Sequence, residues 1–174
     1  MTDTISLDGK NIIVTGAAGG LGRAMVEALA GAGAHVVAID LSEEPLRDLA
    51  SEIADRGGSG RVLPMAADLQ NPDHCEKIVG RAHLAFGALH GLVNNAGVGL
   101  STIREDYYKH NIKFWEVPNE RWQTIFEVNA RAAFLLSKTA VPYMLEQNRG
   151  RIVNVTTSMD TMIRRGWTPY GPSK

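Results

Sequence analysis

The sequence predicts an α/β protein whose doubly wound parallel sheet lies between two layers of helices, a three-layer α/β/α arrangement. Apolar runs of strand length alternate along the chain with segments of helical periodicity. The turn after the first run is rich in glycine, and polar residues follow the later runs. Strands that alternate with helices are joined by right-handed crossovers and are therefore parallel. The 174 residues, 44% of them hydrophobic, suit one domain over residues 1–174.

Each predicted element rests on a local signal. Short apolar runs predict strands at residues 10–15, 35–40, 61–66, 91–94 and 151–156. Helical periodicity predicts helices at residues 21–32, 44–56, 72–86 and 119–147. The second helix ends at the glycine-rich residues 57–60, and the third begins at Pro72, with Asn71 as its N-cap. Alternation of this kind places the carboxyl ends of all five strands at one edge of the sheet.

Composition excludes several classes of function. The formal net charge of −1 offers no basic surface for nucleic acid or for an anionic membrane. No apolar run approaches the ~20 residues that span a bilayer, and the first residues, Met1 to Thr4, lack the features of a signal peptide. A single cysteine, Cys75, fits a reducing compartment, and with His74 it lacks the further ligands of a metal site. We therefore expect a cytoplasmic protein without a metal.

The turn from Thr15 to Gly22 is the first candidate binding site. Its glycines, Gly16, Gly20 and Gly22, lie between a strand and a helix, where they permit positive φ and a close approach of the backbone to a ligand. The helix that follows offers unpaired N–H groups and its positive dipole end to a pyrophosphate. Taken alone, the motif is equally compatible with an ordinary glycine-rich turn.

Asp40 ends the second predicted strand and bears on the choice of nucleotide. It lies 18 residues beyond Gly22, close to the spacing of about 20 at which a carboxylate accepts hydrogen bonds from the adenosine ribose. A carboxylate repels a 2′-phosphate, and residues 41–44 contain no arginine or lysine to neutralise one. The sequence therefore favours NAD over NADP.

Taken in order, these motifs resemble those of the short-chain dehydrogenase/reductase family. The resemblance rests on Thr15-Gly16-x-x-x-Gly20-x-Gly22, Asp68, Asn94-Asn95-Ala96-Gly97, Asn129 and Tyr170-x-x-x-Lys174. It implies a Rossmann-like fold of the compact oxidoreductase type, with Asp68 and Leu69 at the adenine. The implied cofactor-binding residues are Gly16, Gly20, Leu21, Gly22, Asp40, Leu41, Asp68, Leu69, Asn95, Ala96, Gly97, Tyr170 and Lys174. The implied catalytic residues are Asn129, Ser158, Tyr170 and Lys174.

The chemistry of Tyr170 and Lys174 can be argued from the residues themselves. Four positions apart at the start of a helix, they project from one face. A phenol with an ordinary pKa of about 10 is a weak base at neutral pH, and a nearby ammonium favours the phenolate. The tyrosine can then exchange a proton with a substrate oxygen while a nicotinamide exchanges a hydride with the adjoining carbon. The resemblance adds two roles: Lys174 binds the nicotinamide ribose, and Asn129 belongs to a water-mediated proton relay.

The hydroxyl that would bind the substrate oxygen is ambiguous in this sequence. The family places a serine near the end of the fifth strand, where this chain has Thr156, Thr157 and Ser158. An ungapped comparison selects Thr157, whereas Ser158 keeps the residue type. We favour Ser158, because a loop absorbs one extra residue more easily than the chemistry absorbs a bulkier alcohol.

Residues 98–118 form a longer connection than the family resemblance leads us to expect. Their polar and aromatic side chains could shape a substrate pocket or cover a subunit interface, and an exposed insertion is equally compatible. Residues 159–168 precede Tyr170 and are expected to border the substrate.

The family's remaining strands, substrate loop and C-terminal segment have no counterpart before Lys174. We expect the lysine helix to fray, the terminal carboxylate to pair with the lysine ammonium, and the 174-residue chain to be weak or inactive. A longer parent would act on an alcohol or carbonyl substrate as a homodimer or homotetramer, as the resemblance implies. The competing interpretation is a dinucleotide-binding module without turnover.

Overall fold

A computed structural model describes residues 6–174, so Met1 to Thr4, which the signal-peptide argument uses, lie outside the described residues. Its strands are β1 (Asn11–Thr15), β2 (His35–Asp40), β3 (Val62–Ala66), β4 (Gly91–Asn94) and β5 (Arg151–Asn154). Its helices are α1 (Gly20–Gly31), α2 (Glu43–Asp55), α3 (Pro72–Phe86), α4 (Asn119–Phe126), α5 (Ala132–Glu146), α6 (Met159–Met162) and α7 (Tyr170–Ser173).

The five strands form one parallel sheet in the order β3-β2-β1-β4-β5. The predicted doubly wound parallel fold is therefore confirmed. Val14 of β1 pairs with Ala38 of β2 on one side and with Val93 of β4 on the other. Strand order reverses between β1 and β4, which is where an open α/β sheet places its ligand. Pro64, which has no N–H to donate, occurs in edge strand β3, where that loss is tolerated.

Alternate side chains of the strands feed two separate cores. On one face, Ile13 and Ile39 pack with buried side chains of α3 and α5, including Ile78 and Leu136. On the other face, Val14 and its neighbours pack against α1 and α2. This division follows from the period of two along a strand, which sends successive residues of β1 to opposite faces. Both layers hold the carboxyl ends of the strands in fixed positions.

The predicted long helix at 119–147 differs from the structure. A π-helical turn, Glu127–Arg131, separates α4 from α5, and the N–H of Ala132 donates to the carbonyl of Glu127, five residues earlier. The extra residue in this turn cannot be read from apolar periodicity, because the buried face continues on both sides. Asn129 lies at the centre of the turn, and π-turns of this kind are frequent at functional sites.

Two smaller differences concern the ends of the chain's last elements. Strand β5 ends at Asn154, two residues before its predicted end, and the short helices α6 and α7 follow it. Residues 98–118 contain two 3-10 turns, Leu100–Thr102 and Phe114–Glu116, joined by irregular backbone. Among residues 6–174, no helix combines the length and apolar character needed to cross a bilayer.

Candidate active site

The glycine-rich turn between β1 and α1 is built on close backbone approach. A methyl group on Gly22 would lie 1.8 Å from the carbonyl oxygen of Gly16, so the helix and the turn touch at this point. Gly16 has φ +65°, and a methyl group there would lie 2.9 Å from Cα of Ala96. Gly20, which begins α1, has φ +53° and open space where a side chain would be. The turn is thus closed on its inner side and open toward the ligand.

The start of α1 is left free to receive a ligand. Its N-cap residue is Gly19, and no side chain of residues 6–174 caps it. The first turn, Gly20 to Arg23, also lacks an acidic residue. Uncapped N–H groups and an unopposed positive dipole end are the features by which helix N-termini hold phosphates.

The carboxylate of Asp40 is oriented by backbone N–H groups on both sides. Its Oδ2 accepts from the N–H of Ala18 at 2.9 Å, and its Oδ1 accepts from the N–H of Leu41 at 2.8 Å. These hydrogen bonds join the end of β2 to the glycine turn. A carboxylate held in this way keeps free lone pairs for a ligand hydroxyl and presents negative charge to the site.

Thr15 and Asn95 tie the end of β4 to the end of β1. The Thr15 Oγ1 accepts from the N–H groups of Asn95 and Ala96, both at 3.0 Å. The Asn95 Nδ2 donates to the carbonyls of Thr15 at 2.9 Å and Gly16 at 3.2 Å. Because β1 and β4 flank the point where strand order reverses, this bracing fixes the floor of the site.

A cavity of about 510 Å³ lies beside this bracing. Its lining includes eight predicted cofactor-binding residues: Gly16, Asp40, Leu41, Asp68, Leu69, Asn95, Ala96 and Gly97. Asp68 is held by its own loop, where its Oδ1 accepts from the N–H of Gln70 at 2.9 Å. Gly20 and Gly22 shape the turn without lining this cavity, and Leu21, which is 66% exposed, is also outside its lining.

A second cavity, of about 390 Å³, contains both Tyr170 and Lys174. Asn95 and Gly97 line both cavities, and Leu21 lines the second, so the two spaces are neighbours across the β4 loop. The Lys174 Nζ donates to the carbonyl of Val155 at 3.1 Å. A methyl group on Gly97 would lie 2.9 Å from that nitrogen, so a side chain there would displace the ammonium. Burial lowers the pKa of the Lys174 ammonium.

Asn129 ties the loop after β4 to α7, the helix that begins at Tyr170. Its Oδ1 accepts from the N–H of Val98 at 2.7 Å, and its Nδ2 donates to the Val98 carbonyl at 3.0 Å and to the Ser173 Oγ at 2.9 Å. Both amide hydrogens are therefore used within the protein. From the π-turn, the Asn129 side chain contacts both the loop after β4, at Val98, and α7, at Ser173. The proton-relay role stays a prediction.

Ser173 is a buried link in this bracing that the sequence argument missed. It is 5% exposed, accepts from Asn129 and donates to the carbonyl of Tyr170 at 2.7 Å. The serine thus connects the π-turn to the first residue of α7. Its position directly before Lys174 was the available signal, but a buried hydrogen bond to a residue 44 positions away leaves no trace in local patterning.

Ser158 lies elsewhere than expected. It is exposed and serves as the N-cap of α6, with its Oγ accepting from the N–H of Thr161 at 3.3 Å. The physical reason is that β5 ends early, so Ser158 falls at the start of the next helix rather than at the strand end. Of residues 156–158, Thr156 lines the cavity that holds Tyr170 and Lys174, and Thr157 is half-buried outside that lining.

The candidate metal pair, His74 and Cys75, is occupied by structural contacts. Cys75 is fully buried, and burial raises the pKa of its thiol. His74 Nδ1 lies 3.2 Å from the backbone nitrogen of Asp68, so the ring supports the loop after β3. Within residues 6–174, no group of three or more histidine, cysteine or acidic side chains is arranged to hold a metal ion.

Comparison with known proteins agrees with this geometry. The family model described as short chain dehydrogenase matches residues 10–174. Among curated relatives, a short chain dehydrogenase of Pseudocercospora fijiensis is 34% identical, over 97% of this chain and 51% of its own length. The 3-oxoacyl-acyl-carrier-protein reductase FabG of Thermotoga maritima is 32% identical, over 97% of this chain and 63% of its own length. The chain thus spans about half to two thirds of these relatives.

Solved structures resemble the whole described fold. A metagenomic short-chain oxidoreductase in complex with NADP superposes with a TM-score of 0.85 at 30% identity, covering 97% of this chain and 71% of that one. A structure described as an NAD(P)-dependent gluconate 5-dehydrogenase from Beutenbergia cavernae, with bound NADP, gives 0.80 at 34% identity, covering 98% and 63%. At these scores the likeness extends over the sheet and both helical layers.

Proposed function

Because this chain belongs to the short-chain dehydrogenase family, we propose that the protein is an oxidoreductase that moves a hydride between NAD(H) and an alcohol or carbonyl carbon. The observation that supports this proposal is the adjacency of two cavities. One contains the glycine turn and Asp40, the other contains Tyr170 and Lys174, and Asn95 and Gly97 line both. A dinucleotide in the first cavity would deliver its reactive ring beside the tyrosine of the second.

The residues present fit a nicotinamide dinucleotide. The uncapped start of α1 suits the pyrophosphate, and Asp40 suits an adenosine ribose. Lys174 suits the nicotinamide ribose. At Gly16 and Gly97 a methyl group would collide with the β4 loop or with the lysine, so both glycines keep the cradle open. When bound, the nicotinamide supplies or accepts the hydride.

Tyr170 carries the proton in the proposed reaction. In reduction its hydroxyl donates a proton to the carbonyl oxygen, and in oxidation the phenolate takes the proton of the alcohol. Lys174, held by the carbonyl of Val155, provides positive charge close to the phenolate. Thr156 is our candidate donor to the substrate oxygen, since Thr156 lines the cavity of Tyr170 and Lys174. Asn129 and Ser173 position α7 and so hold Tyr170 in place.

Replacement of the tyrosine tests the reaction. In the protein as its gene encodes it, Tyr170→Phe should lower NADH-linked turnover of alcohols and ketones by at least about a hundredfold, the usual contribution of a positioned acid or base. NADH affinity, measured by fluorescence titration, should change less than twofold. Tyr108→Phe, at a tyrosine that is 65% exposed, is the matched control. NADH binding without turnover in the wild type would instead support the binding-module interpretation.

The preference for NAD(H) over NADP(H) rests on Asp40. Its carboxylate faces the cavity, and the exposed Leu41 beside it offers no cation to a 2′-phosphate. The two solved relatives described above carry NADP, which does not favour NAD(H), so the preference needs a test of its own. Asp40→Asn removes the charge and keeps an acceptor, and Leu41→Arg adds a cation. Each change should lower the ratio of the NADPH to the NADH dissociation constant by about tenfold. A wild type that binds NADPH more tightly would reject this part.

We also propose that the protein forms a homodimer or homotetramer in the cytoplasm. The face of α5 that includes Phe134 and Leu145, 63% and 69% exposed, supports an interface there. Light scattering after size-exclusion chromatography should report an oligomer, and Phe134→Glu should dissociate it. A monomer at micromolar concentration would contradict the assembly without affecting the proposed chemistry.

A further inference from the structure

The long connection at residues 98–118 reaches the cavity of Tyr170 and Lys174. Leu100 and Tyr107, from this connection, line the cavity together with Trp167, from the segment before α7. Leu100 is 2% exposed, so it is part of the packed structure rather than a surface residue. The connection therefore forms one wall of the space in which a substrate would lie.

Three aromatic rings follow one another along this wall. The Tyr107 and Trp167 ring centroids lie 5.7 Å apart at 78°, and those of Trp167 and Tyr170 lie 6.1 Å apart at 64°. Edge-to-face packing at these distances is favourable and orients each ring. The three rings thus run from Tyr170, the proposed catalytic residue, through Trp167 to Tyr107 in the connection.

The wall is anchored at both ends. Ile112 is 2% exposed, and Arg104 pairs with Glu116 at 3.4 Å across the base of the connection. Gly166 packs so closely on Asn111 that a methyl group would lie 2.8 Å from its Cβ. The N–H of Gly171 donates to the carbonyl of Trp167 at 2.8 Å, which links the wall to α7.

The lining of this cavity is poor in charge. Lys174 is its one side chain with a formal charge at neutral pH among the described residues. The Arg164 guanidinium lies 5.0 Å from the Trp167 ring, and Arg164 is outside the lining. Apolar surface is contributed by Leu21, Leu100 and Val155. The other polar side chains of the lining are those of Asn95, Thr156, Tyr107 and Tyr170, so the aromatic rings, rather than an absence of polar groups, distinguish this cavity.

We propose that Tyr107 and Trp167 form an aromatic wall that selects uncharged ketones or secondary alcohols carrying a flat apolar ring. This inference rests on the proposed oxidoreductase function and adds the substrate class. The ring of the substrate packs along Tyr107 and Trp167, which directs its oxygen to Tyr170. Specificity comes from the inserted connection rather than from the cofactor side of the site.

A series of ketones tests the proposed aromatic wall in the full-length protein. The panel contains acetone, cyclohexanone, 1-tetralone, fructose and pyruvate, with NADH or NADPH as reductant. In the wild type, kcat/KM for 1-tetralone should exceed that for acetone by at least about tenfold, the discrimination that an apolar pocket supplies. Tyr107→Ala should remove most of that ratio while NADH affinity changes less than about twofold. Phe114→Ala, at an exposed aromatic residue of the same connection that does not line the cavity, is the control.

Two outcomes would contradict the proposed aromatic wall. One is a preference for fructose or pyruvate, and the other is a ratio of kcat/KM for 1-tetralone to that for acetone that is unchanged in Tyr107→Ala. If Tyr107→Ala fails to fold, Tyr107→Leu retains apolar bulk without the ring and carries the same expectation.

Binding separates this inference from the proposed function. Saturation-transfer NMR of 1-tetralone with the NADH complex should show contacts in the wild type that Tyr107→Ala weakens. If tetralone binds in this way but nothing in the panel turns over, the reaction proposal fails and the wall stands. If tetralone neither binds nor turns over, the wall is rejected whatever else the enzyme reduces.

Discussion

The proposed cofactor side of the site, around the turn from Thr15 to Gly22, and the proposed catalytic side, around Tyr170 and Lys174, are held together by different means. On the cofactor side, the ends of β1 and β4 and the first turn of α1 are in contact through Thr15, Gly16, Gly22 and Asn95. Most of these contacts are to backbone. On the catalytic side, the brace runs from a π-turn through a side-chain amide and a serine hydroxyl to a four-residue helix. Closely packed backbone leaves little choice of residue, whereas side-chain bridges leave more. The cofactor side should therefore be the less tolerant of substitution.

The largest expected effect is that of Gly22→Ala. Its methyl group would lie 1.8 Å from the Gly16 carbonyl, so the turn or α1 must move. We expect a loss of about 3 kcal/mol or more in the free energy of unfolding and no measurable NADH binding. Urea unfolding and fluorescence titration measure the two quantities.

Gly19→Ala provides the matched control for Gly22→Ala. Gly19 is extended, with φ −154°, and has no atom within 4 Å of an added methyl group. This variant should lose no more than about 1 kcal/mol, the usual range for an N-cap change. Equal losses in the two variants would show that contact density does not explain the cofactor side.

The next effect is expected for Asn129→Ala on the catalytic side. The change leaves the N–H and carbonyl of Val98 without their side-chain partner and removes the amide that donates to the buried Ser173 hydroxyl. The free energy of unfolding should fall by about 2–3 kcal/mol. Because the brace holds α7, kcat should fall at least about tenfold while the NADH dissociation constant changes less than about threefold. A loss confined to NADH affinity would place Asn129 with the cofactor side instead.

A smaller effect is expected for Ser173→Ala, which removes one link of the same brace. Its hydroxyl joins Asn129 to the carbonyl of Tyr170, so the free energy of unfolding should fall by about 1–2 kcal/mol. A severalfold fall in kcat with little change in KM would mark a positioning role. Ser158→Ala should lower stability through the α6 cap and leave kcat unchanged, since Ser158 lies outside the cavity. If Ser158→Ala is the variant that lowers kcat, the residue type chosen from the sequence was the better guide.

The same contrast explains what the sequence could predict. Strand ends and glycine positions follow from local patterns, so β1 and β2 were predicted to within one residue, and eight of the predicted cofactor-binding residues line one cavity. The π-turn at Asn129 and the capping role of Ser158 depend on where neighbouring segments pack, which periodicity does not record. Tyr107 reaches the cavity through an irregular connection whose path no motif specifies. Local rules thus describe the cofactor side, and tertiary contacts determine the catalytic side.

The smallest predicted effect concerns His90, at the opposite edge of the sheet from both cavities. Its Nδ1 accepts from the N–H of Asn11, the first residue of β1, at 3.0 Å, which requires that nitrogen to be unprotonated. Burial, with the nearby charges of Lys10 and Arg149, lowers the His90 pKa from its ordinary value of 6.5.

The sign of the pH effect follows from this shift. As the pH falls below about 6.5, the unfolded chain binds a proton at His90 before the folded chain does. The stabilisation is therefore complete above that pH and is lost as the pH falls through the lower pKa of the folded state. Urea unfolding between pH 8 and pH 5 should show a fall in stability at the acid end that is shallower in His90→Gln, whose amide oxygen accepts at any pH. NADH binding at pH 6 should be retained in both proteins, because the cavities lie at the other edge. An equal slope in the two proteins would show that the hydrogen bond between Asn11 and His90 does not contribute to the pH dependence of stability.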